Sequence, residues 1–165
     1  MVQFSIAKHA VAFPSKVLAS NGGKHIYNIQ LAEASGKFVD NGWFVGKGDF
    51  VELDLYKAKA PTTFEGKVVA VADNGNYYVE VVNPGDALFV YQVPMIEETY
   101  NNNFKKESNY TNAPTQVVRS YELAVGDIVE ISAEGFAGVV AVNDSVELKA
   151  ITGITAAKQL AKKTS

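Results

Sequence analysis

The chain has 165 residues, enough for one domain with its own core, and a chain of this length buries roughly 70% of its unfolded surface without needing a metal or disulfide staple. It has no cysteine, which excludes thiol nucleophiles, cysteine-ligated zinc or iron–sulfur sites and a disulfide scaffold. Hydrophobic residues make up 47% and charged residues 20%, a globular balance; the 15 Lys+Arg against 18 Asp+Glu, with Arg119 the only arginine, argue against nucleic acid as a direct partner.

Residues 1–14 form an N-terminal arm in which Phe4, Ile6, Val11 and Phe13 have little polar cover, and Pro14 separates them from the body. Apolar side chains left exposed in this way mark an interface, so the arm is expected to be ordered by a partner. Lys8 sits in its middle and no apolar stretch has signal-peptide or membrane-span length, so neither export by that route nor membrane insertion is expected.

From residue 15 to 153 short β-prone runs are separated by Gly, Asn, Asp and Pro. The pattern predicts an all-β domain, mainly an antiparallel sandwich or barrel, with little helix. Tyr27, Ile29 and Leu31 alternate with polar residues, as do Val51, Leu53 and Leu55, so both segments read as half-buried strands. Asn74-Gly75 tolerates the positive φ of a tight turn, which predicts a hairpin between Val68–Val71 and Tyr77–Val82. Adjacent Tyr77 and Tyr78 then point to opposite faces. Pro84-Gly85-Asp86 makes the next turn, and Ala87–Val93 returns as a third strand of the meander.

Residues 95–116 are a long polar excursion rich in Asn, with Lys105 and Lys106 inside it. The spacing of Ile96, Tyr100 and Phe104 allows a two-turn helix, which Asn101–Asn103 weaken. Loops of this length inside compact domains are usually either functional or disordered, and Tyr100, Phe104 and Tyr110 supply rigid contact area to a partner unless they pin the loop to its own domain. Strands are expected to resume at 116–123, 127–131, 136–142 and 146–151, before a basic Ala/Lys-rich tail at 154–165 that is too short for a stable isolated helix. Gly48–Leu53 echoes Gly126–Ile131, and Val68–Val71 echoes Val139–Val142. Two related β-modules would produce this, and so would convergence, since Gly-Asp is a good entry to any strand.

Constellations for chemistry are sparse. His9 and His25 do not stand in a metal-ligand spacing, and no phosphate-binding glycine loop or nucleophile elbow is present. No catalytic or metal-binding residue is therefore assigned. Alternation places Glu52, Asp54, Glu80 and Glu130 on the solvated faces of their strands, although a carboxylate pair across a cleft would allow glycoside hydrolysis. Trp43, Tyr78 or Tyr110 could serve a carbohydrate-binding or adhesion domain as a stacking platform.

The phrases Val45-Gly46-Lys47-Gly48-Asp49, Asn74-Gly75-Asn76-Tyr77-Tyr78-Val79-Glu80-Val81, Tyr91-Gln92-Val93-Pro94 and Gly126-Asp127-Ile128-Val129-Glu130, in this order, resemble the small β-rich decoration, cement or head proteins of tailed phages of Gram-positive hosts. The resemblance spans about residues 1–150 and rests on turn phrases rather than on a diagnostic motif. It implies a non-enzymatic virion protein, made in the host cytoplasm, that binds the capsid exterior without a cofactor. Its partner would be the major capsid protein, with further copies of itself as a second contact. Carried onto this chain, partner binding falls to Phe4, Ile6, Val11 and Phe13 of the arm and to Tyr100, Phe104, Lys105, Lys106 and Tyr110 of the excursion.

Overall fold

A computed structural model describes residues 3–4, 8–16, 25–32, 35–52, 54–93 and 106–164. Its strands, in chain order, are β1 (Gln3–Phe4), β2 (Ala12–Lys16), β3 (Ile26–Gln30), β4 (Phe44–Glu52), β5 (Leu55–Lys59), β6 (Glu65–Val71), β7 (Tyr77–Asn83), β8 (Ala87–Val90), β9 (Tyr110–Thr111), β10 (Val117–Glu122), β11 (Ile128–Ile131), β12 (Ser145–Ala150) and β13 (Ala157–Lys162). The only helical elements among the described residues are 3-10 turns at Glu107–Asn109 and Ala133–Gly135. The fold is all-β, as the spacing of turns and β-prone runs predicts.

Strands β4-β5-β3-β10-β8 close into a five-stranded barrel through a β4–β8 pairing. All of its pairings are antiparallel except β3–β5. Strand β4 also joins the barrel to the rest of the sheet: on one edge Phe44 and Val45 pair with β13 before Gly46–Glu52 pair with β5, while β8 lies along the other edge. From β13 the sheet continues through β12, β6, β7 and β11 to β2 at its edge.

Two cores follow from this branching. Val45, Leu88, Val90, Ile29 and Val118 form the barrel's own core, whereas Phe44 and Phe89, pointing the other way, pack with Phe64, Val68, Val79, Val129, Ile131 and Leu160. Both faces of β8 are thus buried, and its sequence is a continuous apolar run for that reason. Phe44 is the hinge of the second core, with ring centroids 4.6 Å from Phe64 and 5.7 Å from Phe89.

Several expectations need correction. Asp54 has φ +63 and turns the chain back between β4 and β5, so Val51–Leu55 is a hairpin end and not one strand, and Val51 is exposed. Residues 139–144 form a loop, in which Asn143 donates to the Val68 carbonyl (2.8 Å), instead of the expected strand over 136–142. Gly48 lies mid-strand in β4 while Gly126 occupies a tight turn with φ +88, so the paired phrases hold different structures and the echo is convergent. The tail is a strand, β13, paired on both sides. Glu130 is buried and accepts from Asn74 Nδ2 (2.9 Å) and Asn76 Nδ2 (2.8 Å), so the solvated-face expectation fails there. The helix considered at 96–104 falls outside the described residues.

Candidate functional site

The turn Asp40-Asn41-Gly42 enters the interior between the barrel and β2. Gly42 has φ +89, and a Cβ there would lie 2.7 Å from the Cβ of Ala12, so only glycine allows the turn to approach β2 this closely.

Asn41, 3% exposed, is the centre of a polar clasp. Its Oδ1 accepts from the Gln92 amide (3.0 Å) and from Asn112 Nδ2 (3.1 Å), while its Nδ2 donates to the Gln92 carbonyl (2.9 Å). Asn112 in turn pairs with Val39 through both backbone bonds (3.0 and 2.9 Å) and donates Nδ2 to the Val39 carbonyl (2.9 Å). Gln92 stands immediately before the polar excursion and Asn112 near its end. A single buried side chain therefore holds both feet of the loop.

Asp40 does the same for the arm. Its Oδ2 accepts from the Ala10 amide (3.0 Å), its Oδ1 from the Thr111 hydroxyl (2.7 Å), and His9 Nδ1 lies 3.7 Å away while also approaching the Ala10 carbonyl (3.0 Å). Burial pushes the Asp40 carboxyl above the usual carboxylate range, against the opposing pull of the Thr111 hydroxyl, the Ala10 amide and His9. Strand β1 pairs with β9, Gln3 opposite Thr111 and Phe4 opposite Tyr110. The arm and the excursion, remote in sequence, are thus one composite structure.

The expected partner-binding residues divide. Val11 and Phe13 are half-buried, and the chain around them belongs to the body: Ala10 and Ala12 are buried, β2 pairs with β11, and Val11 exchanges hydrogen bonds with Ser132 through its amide and carbonyl. Pro14 does not detach the arm; it sits within edge strand β2, which pairs with β11 across a register irregularity. Tyr110 is corrected outright, because it is 2% exposed and its hydroxyl accepts from Gln116 Nε2 (2.8 Å). It pins the loop instead of meeting a partner, and burial raises its phenol pKa. Lys106 is exposed. The backbone of Phe4 is in β1, whereas Ile6, Tyr100, Phe104 and Lys105 lie outside the described residues.

The three residues considered for a stacking platform differ in burial, and Tyr78 is half-buried in β7. Tyr110 is enclosed and Trp43 packs against the barrel core, its Nε1 buried. Asp40, Asn41 and Asn112 carry no signal in the sequence that separates them from ordinary turn residues. Among the described residues no cluster of His, Asp and Glu could hold a metal ion, and no helix is long and apolar enough to cross a membrane. No protein-family model matches the chain, and neither curated proteins nor solved structures yield a significant match.

Proposed function

We propose that this chain is a structural attachment protein that grips a larger assembly through the joined arm and excursion, and that the assembly is the outer surface of a phage capsid. The observation that carries the reading is the clasp: Asp40 and Asn41, adjacent in the chain, tie the arm and both feet of the excursion to one rigid base. Ordering the base of a loop before it meets its partner lowers the entropy lost on binding, which is what a cement-type contact requires. The capsid as target is what the resemblance of the turn phrases supports. On this reading Tyr100 and Phe104 carry the affinity, and Lys105 and Lys106 orient the contact at its rim, where an exposed ion pair contributes about 0.2–1 kcal/mol.

The test is reconstitution onto capsids purified without this protein. Because both feet bond to Asn41, a short Gly-Ser linker can replace residues 96–104 without parting them. The linker variant is expected to keep its thermal midpoint and lose attachment, while added salt weakens wild-type attachment only slightly. Absence of the chain from purified particles, or full attachment by the linker variant, overturns the proposal.

A further inference from the structure

Asparagine followed by glycine occurs three times in the chain, at Asn21-Gly22, Asn41-Gly42 and Asn74-Gly75. The pair is chemically labile, because a glycine amide nitrogen, with no side chain to shield it, can attack the asparagine carboxamide. The first pair lies outside the described residues, and the fold treats the other two differently. Asn41 is enclosed in the clasp, with both side-chain polar atoms bonded and the Gly42 amide donating to the Val90 carbonyl (2.9 Å). Asn74 and Gly75 are exposed at the β6–β7 turn, where a Cβ on Gly75 would meet nothing within 4 Å, so water reaches this pair freely.

Asn74 is nevertheless held. Its Oδ1 accepts from the Asn76 amide (3.0 Å), its Nδ2 donates to Glu130 Oε1 (2.9 Å), and the Gly75 amide donates to the Ala72 carbonyl (2.9 Å). Glu130 is buried on β11, opposite Tyr78 of β7 and Phe13 of β2, and Asn76 Nδ2 donates to the same oxygen (2.8 Å). Attack on Asn74 Cγ needs the Gly75 nitrogen free of Ala72 and the carboxamide turned away from Glu130. The carboxylate also opposes the negative charge that develops on the carboxamide oxygen during attack.

We propose that Asn74 is a site of spontaneous deamidation in the folded protein, and that Glu130 is the brake on it. The Gly75 nitrogen, its proton taken by hydroxide, bonds to Asn74 Cγ; the Cγ–Nδ2 bond breaks, and Nδ2 leaves as ammonia after taking a proton from water. Water then opens the cyclic imide at one carbonyl or the other, giving aspartate or an isoaspartate whose backbone runs through the former side chain. Either product removes the Nδ2 donor and adds a second carboxylate beside Glu130, which loosens the turn from β11. The inference stands on this turn alone and is independent of the attachment reading.

The test is mass spectrometry of the peptide bearing each pair, with isoaspartate assayed separately, after the full chain has been held under mildly alkaline conditions both folded and in urea. In the folded chain Asn74 is expected to convert about tenfold or more slowly than in the unfolded one, yet well before Asn41, since a turn opens locally and the clasp opens only with the core. Glu130→Ala should speed conversion at Asn74 towards the unfolded rate and leave Asn41 intact, whereas Glu130→Gln, which keeps an acceptor oxygen, should speed it less. Asn41 thus reports whether each variant is folded. Conversion of Asn74 at the unfolded rate in the folded chain, or an unchanged rate in the folded Glu130 variants, overturns the brake. Conversion of Asn74 only in step with Asn41 overturns the site.

Discussion

Asn41 shows how much can rest on one uncharged side chain. Asn41→Ala would leave the half-buried Gln92 amide and carbonyl without their partner and take one of two acceptors from Asn112 Nδ2, which keeps its bond to the Val39 carbonyl, at about 1–3 kcal/mol for each group that water cannot reach. We expect a loss of about 2–4 kcal/mol in urea unfolding, with faster amide exchange at Gln92 and Asn112. Asp86 gives a prediction with a pH sign. Burial alone would raise its pKa, but the bonds from Thr63 and Thr62 outweigh it and hold the carboxyl below its ordinary 3.8. A depressed folded pKa means stability present above 3.8 and lost as pH falls through the folded value. Asp86→Asn keeps the shape and one acceptor oxygen, so its stability should fall less steeply over that acid range when thermal midpoints are compared with wild type. Asp40, raised by burial, has the opposite sign, and its contribution declines as pH rises past 3.8.

At the scale of elements, what could be read in advance was what local chemistry decides. Asn74-Gly75 makes the β6–β7 turn with Gly75 at φ +85 and the Asn74 side chain accepting from the Asn76 amide (3.0 Å), so the hairpin needed no tertiary information. Strand β13 is the opposite case. Ala-Lys-Gln-Leu-Ala-Lys has poor β propensity, and it is a strand because β12 and β4 pair with its two edges and Leu160 reaches the core. The clasp was illegible for a related reason: alternation locates a buried face but cannot say which turn folds into it. Pro14 reads as a boundary in the sequence, yet β2 runs through it and pairs with β11. Deleting residues 2–13 should therefore destabilise the fold by at least ~3 kcal/mol or prevent folding, since it removes buried Ala10 and Ala12 and strips partners from Asp40 and Ser132. A deletion variant with the wild-type thermal midpoint would return the arm to the status of an appendage.

For the whole molecule, the sharing of β4 and β8 between two cores predicts a single unfolding unit. Phe44 and Phe89 belong to one core while their neighbours Val45 and Leu88 belong to the other, so neither core survives loss of these strands. Calorimetry should show one transition whose calorimetric and van't Hoff enthalpies agree, and the far-UV spectrum should lack helical minima. Two separable transitions would mean that the barrel is independently stable. The interlacing of the two ends has a kinetic corollary. Strand β2, at residues 12–16, must wait for β11, at 128–131, and β4 is not fully bordered until β13, at 157–162, has been made. Contacts this distant along the chain make for slow folders, in the range of milliseconds to seconds. A ribosome releasing this chain therefore delivers nearly all of it before the native topology can close, and its early strands wait in the cell with their edges unpaired.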